Sequence, residues 1–318
     1  MKRKPRLVVL PPQHLGHELH VGRCVVVDMV AQGFLDESMG DSVLTGLSDR
    51  KFFYEDLLGT DQVLDFSLLP SMPLPVRPPK GPDEYINVTS AQLQSVPRLS
   101  GFDVINLTGY ALPPTYCTFS TTAEMAELGY RVPERFLSEA FSQHARRFKF
   151  SAPEELAKAV PAGVPHYIVL HHRYGASVDE LLKLFANLPL HLWKVVFTSN
   201  PQETAQTLRG MPNAFFTNDL QLYATALRDE RCKLLISEWS GAGQLAQYTL
   251  GNQGGIWFYY NHYPDVFNFT ATHKIWETNA MLGNYFNCWD FKNITGCDIR
   301  HFPDFDALIS AVKVIQST

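Results

Sequence analysis

The stretch Tyr167-Ile-Val-Leu-His-His-Arg-Tyr-Gly175 decides how this chain is read. An apolar run breaks off into two histidines and an arginine, and Gly175 and Ser177 then lead into a helical pattern. That is how an α/β protein sets cationic side chains at the carboxyl edge of a parallel sheet, where ligands bind. Arg173 in such a place suits phosphate, because its planar fork donates two parallel hydrogen bonds and stays charged. Taken alone, the same residues also describe a strand end with a solvated arginine.

Outward from this stretch the second half is regular. Strand patterns at 166–170, 194–199, 214–217, 233–237 and 255–260 alternate with helical patterns at 178–187, 203–209, 220–228 and 243–250, and a terminal helix is expected at 305–315. Such alternation predicts a parallel sheet covered on both faces. The first half carries the same signal more weakly. A short strand at 7–10 precedes a helix at 17–33, in which Leu19, Cys24, Val27, Val30 and Ala31 recur at helical spacing and Gly33 is the stop. Strands are expected at 61–69 and 102–107 and helices at 124–128 and 133–147, and the proline-dense segment 70–82 is an extended loop. The polar stretch 149–163 marks the boundary. The expected fold class is α/β, with two Rossmann-like parallel-sheet domains, 1–155 and 156–318, facing a cleft.

Composition agrees. A chain of 318 residues is long enough for two ordinary domains, and 45% hydrophobic with 19% charged residues is a globular balance. A formal charge of −5 argues against a general nucleic-acid binder. The five cysteines are dispersed without a C-x-x-C pair, which suits free thiols in a reducing compartment. The apolar run after the basic start ends at Pro11-Pro12, too short for a signal-peptide core, and no stretch approaches the ~20 apolar residues of a membrane span. The expected location is cytoplasmic, with the basic start able to touch an anionic membrane surface.

Two further segments carry chemistry. In Ile236-Ser-Glu-Trp-Ser-Gly-Ala-Gly-Gln-Leu-Ala-Gln247 a strand ends, small residues turn and a helix begins. Ser237, Ser240 and the amides of Gly241, Ala242, Gly243 and Gln244 suit a phosphate or diphosphate, since small residues let backbone approach and a helix start presents N–H groups. A tight strand–helix turn needs glycine anyway, so a packing role is the alternative. The first strand–helix turn reads Leu10-Pro-Pro-Gln-His-Leu-Gly-His-Glu-Leu-His20. Its spacing, H-x-x-H-E-x-H, is not that of a helical metal site, and no cysteine or carboxylate pair completes one. Histidine or glutamate here suits proton abstraction from a hydroxyl near neutral pH; a helix start with solvated histidines is the alternative.

These features together resemble a GT-B glycosyltransferase. His171-His172-Arg173 is similar to the H-x-R motif of the GDP-fucose-dependent fucosyltransferases, His-Leu-Gly-His-Glu-Leu at 14–19 to their G-L-G-N-x-L turn, and Ser237-x-x-Ser240-Gly241 to their serine-rich diphosphate loop. The Pro-x-x-x-x-Gly-His pattern ending at Gly16-His17 resembles sugar transferases with a histidine base. The chain departs from the pattern where His17 replaces asparagine and where Tyr174-Gly175 follow the arginine, which opens the identity of the donor. The resemblance implies an inverting, metal-independent transfer of a hexosyl group, fucose among the candidates, to a glycan hydroxyl. The donor is then a nucleotide-diphosphate sugar, a substrate rather than a cofactor. His17, Glu18 and Arg173 become the catalytic candidates, with His14, Gly16 and His171 in the binding set.

Smaller candidates complete that set. Asn200, in Thr198-Ser-Asn-Pro-Gln202, suits a nucleotide contact or an Asn-Pro turn. Asp219 suits a base or a helix N-cap. Tyr260 and His262, in an aromatic strand end, suit a sugar ring or a buried strand. Three other classes fit parts of the pattern: a nucleotide-sugar epimerase or hydrolase, a non-catalytic glycan- or nucleotide-binding protein, and a dinucleotide oxidoreductase. The last is disfavoured because Pro-Pro-Gln-His stands where G-x-G-x-x-G belongs.

Overall fold

The computed structural model describes residues 3–10, 15, 18–46, 48–68, 90–107, 123–131, 154, 156–172, 178–208, 211–249, 254–262, 264–265, 267–268 and 298–316. The chain divides into two compact units, Met1–Phe150 in the first and Ser151–Met281 with Trp289–Thr318 in the second. The expected helix at 133–147 and the loop at 70–82 lie outside the described residues.

The first unit holds four parallel strands, β1 (Arg6–Val9), β2 (Ser42–Thr45), β3 (Val63–Asp65) and β4 (Asp103–Asn106), in the order β3-β2-β1-β4. Leu7 and Val9 turn to one face and pack with Leu44, Leu64, Phe66, Leu93 and Leu99. Val8, between them, turns to the other face, because strand side chains alternate. The helix after β1 begins differently from the periodicity: a π-helical turn, Glu18–Gly22, precedes α1 (Arg23–Ala31). A Cβ on Gly22 would stand 3.0 Å from the Tyr54 hydroxyl, so glycine lets this wide turn sit close to its neighbour. The strand expected at 61–69 is confined to β3, with 3-10 turns on both sides.

The second unit holds six parallel strands: β5 (Tyr167–His171), β6 (Trp193–Phe197), β7 (Ala214–Thr217), β8 (Cys232–Glu238), β9 (Gly255–Tyr259) and β10 (Asp298–Phe302). Their order is β10-β9-β8-β5-β6-β7. The connecting helices are α2 (Val178–Ala186), α3 (Pro201–Thr207), α4 (Leu220–Arg228) and α5 (Gly241–Thr249), and α6 (Phe305–Gln316) follows β10. Leu181, Leu184 and Phe185 of α2 recur at three- and four-residue spacing and pack with Leu308, Ile309 and Val312 of α6 on one sheet face. On α4 and α5, Leu222, Tyr223, Ala226, Leu245 and Ala246 are buried, and the Tyr223 hydroxyl ties the two helices by donating to Ala242 O at 3.0 Å. Both units are therefore parallel α/β sheets, as the alternation requires.

Topology selects one place in each sheet. In the second unit the chain runs outward from β5 through β6 to β7, then crosses back to β8 and runs outward the other way. The β5–β8 boundary is thus a topological switch point, and ligands of open α/β sheets bind outside the carboxyl ends of the strands there. In the first unit the same reversal falls between β1 and β4. Among the described residues no helix is long and apolar enough to cross a membrane.

Candidate functional site

The switch point of the second unit joins two segments distant in sequence. Register aligns His171, the last residue of β5, with Ser237 of β8. His171 Nδ1 lies 2.8 Å from Ser237 Oγ and 3.4 Å from Ser240 Oγ. Ser237 Oγ donates to the Glu238 carbonyl at 2.7 Å, so its proton is engaged and it accepts from His171 Nδ1–H. This chain of hydrogen bonds places a ring proton on Nδ1. The ring is also walled by Phe197 and Tyr223, at 5.7 and 6.2 Å between centroids, with those two stacked at 4.4 Å. His172 is buried as well, and its backbone N–H donates to Phe197 O at 3.1 Å. Arg173, which follows directly, lies outside the described residues.

The turn after β8 serves packing and site together. Ser240 Oγ accepts the Gly243 N–H at 3.4 Å and so caps the first turn of α5. A Cβ on Gly243 would stand 3.0 Å from Phe258 Cε1 and 3.1 Å from Ser237 Cβ, and closer still to Ser237 Oγ. Glycine at 243 is required for the helix to lie against the strand, which is the packing role. Ala242 is buried, Ser240 and Gly241 are half-buried, and α5 opens at the carboxyl edge as a nine-residue helix whose first-turn N–H groups face that edge. Gln244 lies within this helix.

Three binding candidates have structural duties. Asn200 is the N-cap of α3: Oδ1 accepts from Glu203 N at 3.3 Å while Nδ2 donates to Glu203 Oε2 at 2.6 Å. Asp219 is the N-cap of α4 and accepts from Leu222 N at 2.9 Å. Tyr260 is fully buried, stacked on Trp239 at 5.5 Å and 8°, with its hydroxyl 2.8 Å from His301 Nδ1. Burial drives the His301 imidazole down to about 3, so that ring is neutral and belongs to the packing.

Beyond β9 the edge holds a polar cluster. Glu238, the last residue of β8, is wholly buried, and its Oε1 accepts from His262 N at 3.2 Å and from His262 Nδ1. Glu180, in the first turn of α2, accepts from Asn261 Nδ2 at 2.7 Å, and Asn261 Oδ1 accepts from Phe305 N at 2.9 Å. The second carboxyl oxygens of Glu180 and Glu238 are buried without a hydrogen-bond partner. Burial, and then the charge of Glu238, push the Glu180 carboxyl above its ordinary value. Glu238 is a residue the sequence did not single out. In the linear chain it reads as one letter of a small-residue turn, and its histidine lies 24 positions on.

In the first unit, His14, Gly16 and His17 lie outside the described residues, and Glu18 opens the π turn. Glu18 is buried and accepts from Thr45 Oγ1 at 2.6 Å, Arg50 Nη1 at 2.7 Å and the Tyr54 hydroxyl at 3.3 Å. Desolvation raises its carboxyl above the ordinary value, against the lowering pull of Arg50 and Thr45. Among the described residues no group of three or more His, Cys, Asp or Glu is placed to hold a metal ion.

No family model matches this chain, and no curated protein matches it either. Among solved structures it is similar to E. coli heptosyltransferase WaaC with ADP-2-deoxy-2-fluoro heptose, at a TM-score of 0.49 and 12% identity over 98% of this chain and 99% of that one. The same enzyme with ADP gives 0.45 and 11% over the same shares. A dipicolinate synthase component from Bacillus halodurans gives 0.25 and 10%, over 100% of this chain and 98% of that one. Likenesses at this level fix neither family nor activity, so the functional reading rests on the site itself.

Proposed function

We propose that the chain is a glycosyltransferase that takes a sugar from a nucleotide-diphosphate donor held at the carboxyl edge of the second sheet. One observation carries this reading. At the β5–β8 switch point His171, the last residue of β5, meets Ser237 and Ser240, two serines separated from it by 66 and 69 positions. Arg173, two residues after His171 in the sequence, and the start of α5 are the groups proposed to supply what a departing diphosphate needs, positive charge and N–H donors. The reaction is proposed to run without a metal, the arginine and the helix start carrying the charge of the leaving group.

The acceptor hydroxyl would lose its proton to the loop after β1. Glu18 is engaged by three donors and shielded from water, which suits an anchor for that loop better than a base. The base role therefore goes to His17, with His14 and Gly16 shaping the turn. Attack opposite the leaving diphosphate makes the transfer inverting. Fucose remains one candidate for the sugar and a glycan hydroxyl the acceptor class.

Thermal shift against GDP-, UDP-, CMP- and dTDP-sugars tests the reading. A donor at ~100 Kd adds about 2.7 kcal/mol to the folded state. One member of the panel is expected to raise Tm by several degrees, and Arg173→Ala to abolish the rise. No shift with any donor, or an unchanged shift in Arg173→Ala, would overturn the proposal. Product analysis with donor alone separates transfer from hydrolysis or epimerisation, since a transferase turns over little without acceptor.

A further inference from the structure

We propose that His262 and Glu238 form a carboxylate–imidazole dyad whose Nε2 accepts the proton of a ligand hydroxyl at the β8–β9 edge. The dyad rests on the reading of this edge as a sugar-nucleotide site, and it names the hydroxyl-bearing sugar as the part that meets His262.

A carboxylate only accepts hydrogen bonds, so His262 Nδ1 carries the ring proton toward Glu238 Oε1 and the acceptor lone pair sits on Nε2, across the ring. A second bond, from His262 N to the same oxygen at 3.2 Å, fixes the backbone as well as the ring. Glu238 is wholly buried while the His262 side chain is 43% exposed. A buried carboxylate behind an accessible imidazole is the arrangement that orients a proton acceptor and stabilises it once charged.

Charged and polar groups of two other segments face Glu238. Glu180 approaches from α2 with Lys183 one turn further along the same helix, and Tyr259 and Asn261 approach from the end of β9. One buried carboxyl oxygen on Glu180 and one on Glu238 have no hydrogen-bond partner, and such acceptors are costly until a donor meets them. Burial and the charge of Glu238 raise the Glu180 carboxyl, and Glu238 Oε1, which already accepts the His262 backbone N–H, meets the ring as an acceptor. When a ligand hydroxyl loses its proton, the O–H bond breaks, an N–H bond forms at Nε2, and the imidazolium is neutralised by Glu238. Glu238 is the positioning residue and His262 the group that meets the ligand.

The test uses the full chain. Nitrogen–proton NMR correlation of the His262 ring is expected to show the Nδ1–H tautomer in the wild type and a shift toward Nε2–H in Glu238→Ala. An Nε2–H tautomer in the wild type would overturn the dyad, and this result stands even where the Glu238 variants fold poorly. Carbethoxylation by diethylpyrocarbonate, mapped by mass spectrometry, then reports access to Nε2. Whichever sugar nucleotide of the panel raises Tm is expected, at ~10 Kd, to slow modification of His262 about tenfold, as occupancy dictates. Its nucleoside diphosphate without the sugar is expected to protect far less. Binding without protection would sink the dyad's ligand role and leave the diphosphate site standing. If no sugar nucleotide binds, the proposed function fails, and the dyad's ligand role fails with it; the tautomer still decides whether the pair itself exists.

Discussion

Glu18 and Glu238 are both buried glutamates at the carboxyl edges of parallel sheets, and they are treated in opposite ways. Glu18 accepts from Thr45 at the end of β2, from Arg50 and from Tyr54, so both its oxygens are engaged inside the first unit. Glu238 gives one oxygen to a half-exposed histidine, and its other oxygen lacks a donor. A buried carboxyl whose two oxygens its own fold engages is part of the scaffold. One left partly open marks a place where something else is meant to arrive.

Breaking the compensated pair has the largest expected effect. Arg50→Met leaves Glu18 buried without its cation, and removal of one partner of a buried ion pair costs about 3–5 kcal/mol. Chemical denaturation should show that loss, and the Glu18→Met/Arg50→Met double variant should recover much of it. An Arg50→Met protein as stable as the wild type would mean that the network carries no such weight. Next comes the close approach of α5 to β8. Gly243→Ala puts a methyl group against Ser237 and Phe258 and should cost about 1–3 kcal/mol, the usual range for overpacking. If the alanine is neutral in Tm, the glycine is not there for packing.

These two examples show what the linear chain disclosed. Alternation in the second half announced a parallel sheet because β5 to β9 are mostly apolar runs, as strands buried on both faces must be. β2 escaped notice because Ser42-Val-Leu-Thr45 is too short to show a period. β10 escaped because Asp298-Ile-Arg-His-Phe302 is an edge strand with mixed exposure. Within the site, the His171 strand end and the Ser240 turn were legible as strand-to-helix junctions and Asp219 as a cap, whereas Asn200, read as an Asn-Pro turn, proves to be the N-cap of α3. Glu238 was not, since a carboxylate–histidine pair across two strands depends on register, and register is set by packing of the whole sheet rather than by either segment.

Smaller effects sharpen the same contrast. Asp219→Ala removes the α4 cap and should cost about 1 kcal/mol, with donor-induced thermal shifts unchanged; a lost shift would return Asp219 to the binding set. The smallest effect is in pH dependence. The Glu180 carboxyl is raised in the folded state, so the fold holds its proton more tightly than the unfolded chain does. Its stabilising share is complete below the ordinary value of 4.5 and is lost as pH rises from there through the folded-state value. Glu180→Gln should flatten the decline of stability above pH 4.5, and an identical slope in the variant would mean that the Glu180 carboxyl is not raised by the fold.

Amide chemical-shift mapping of the full chain tests the central claim most directly, by titration with the nucleoside diphosphate of whichever sugar nucleotide the thermal shifts select. The account predicts perturbations centred on His171, Ser240 and Gly241 at the β5–β8 switch point, with the sugar nucleotide extending them to His262. Perturbations that avoid the carboxyl edge of the second sheet, or none at saturating ligand, would contradict it.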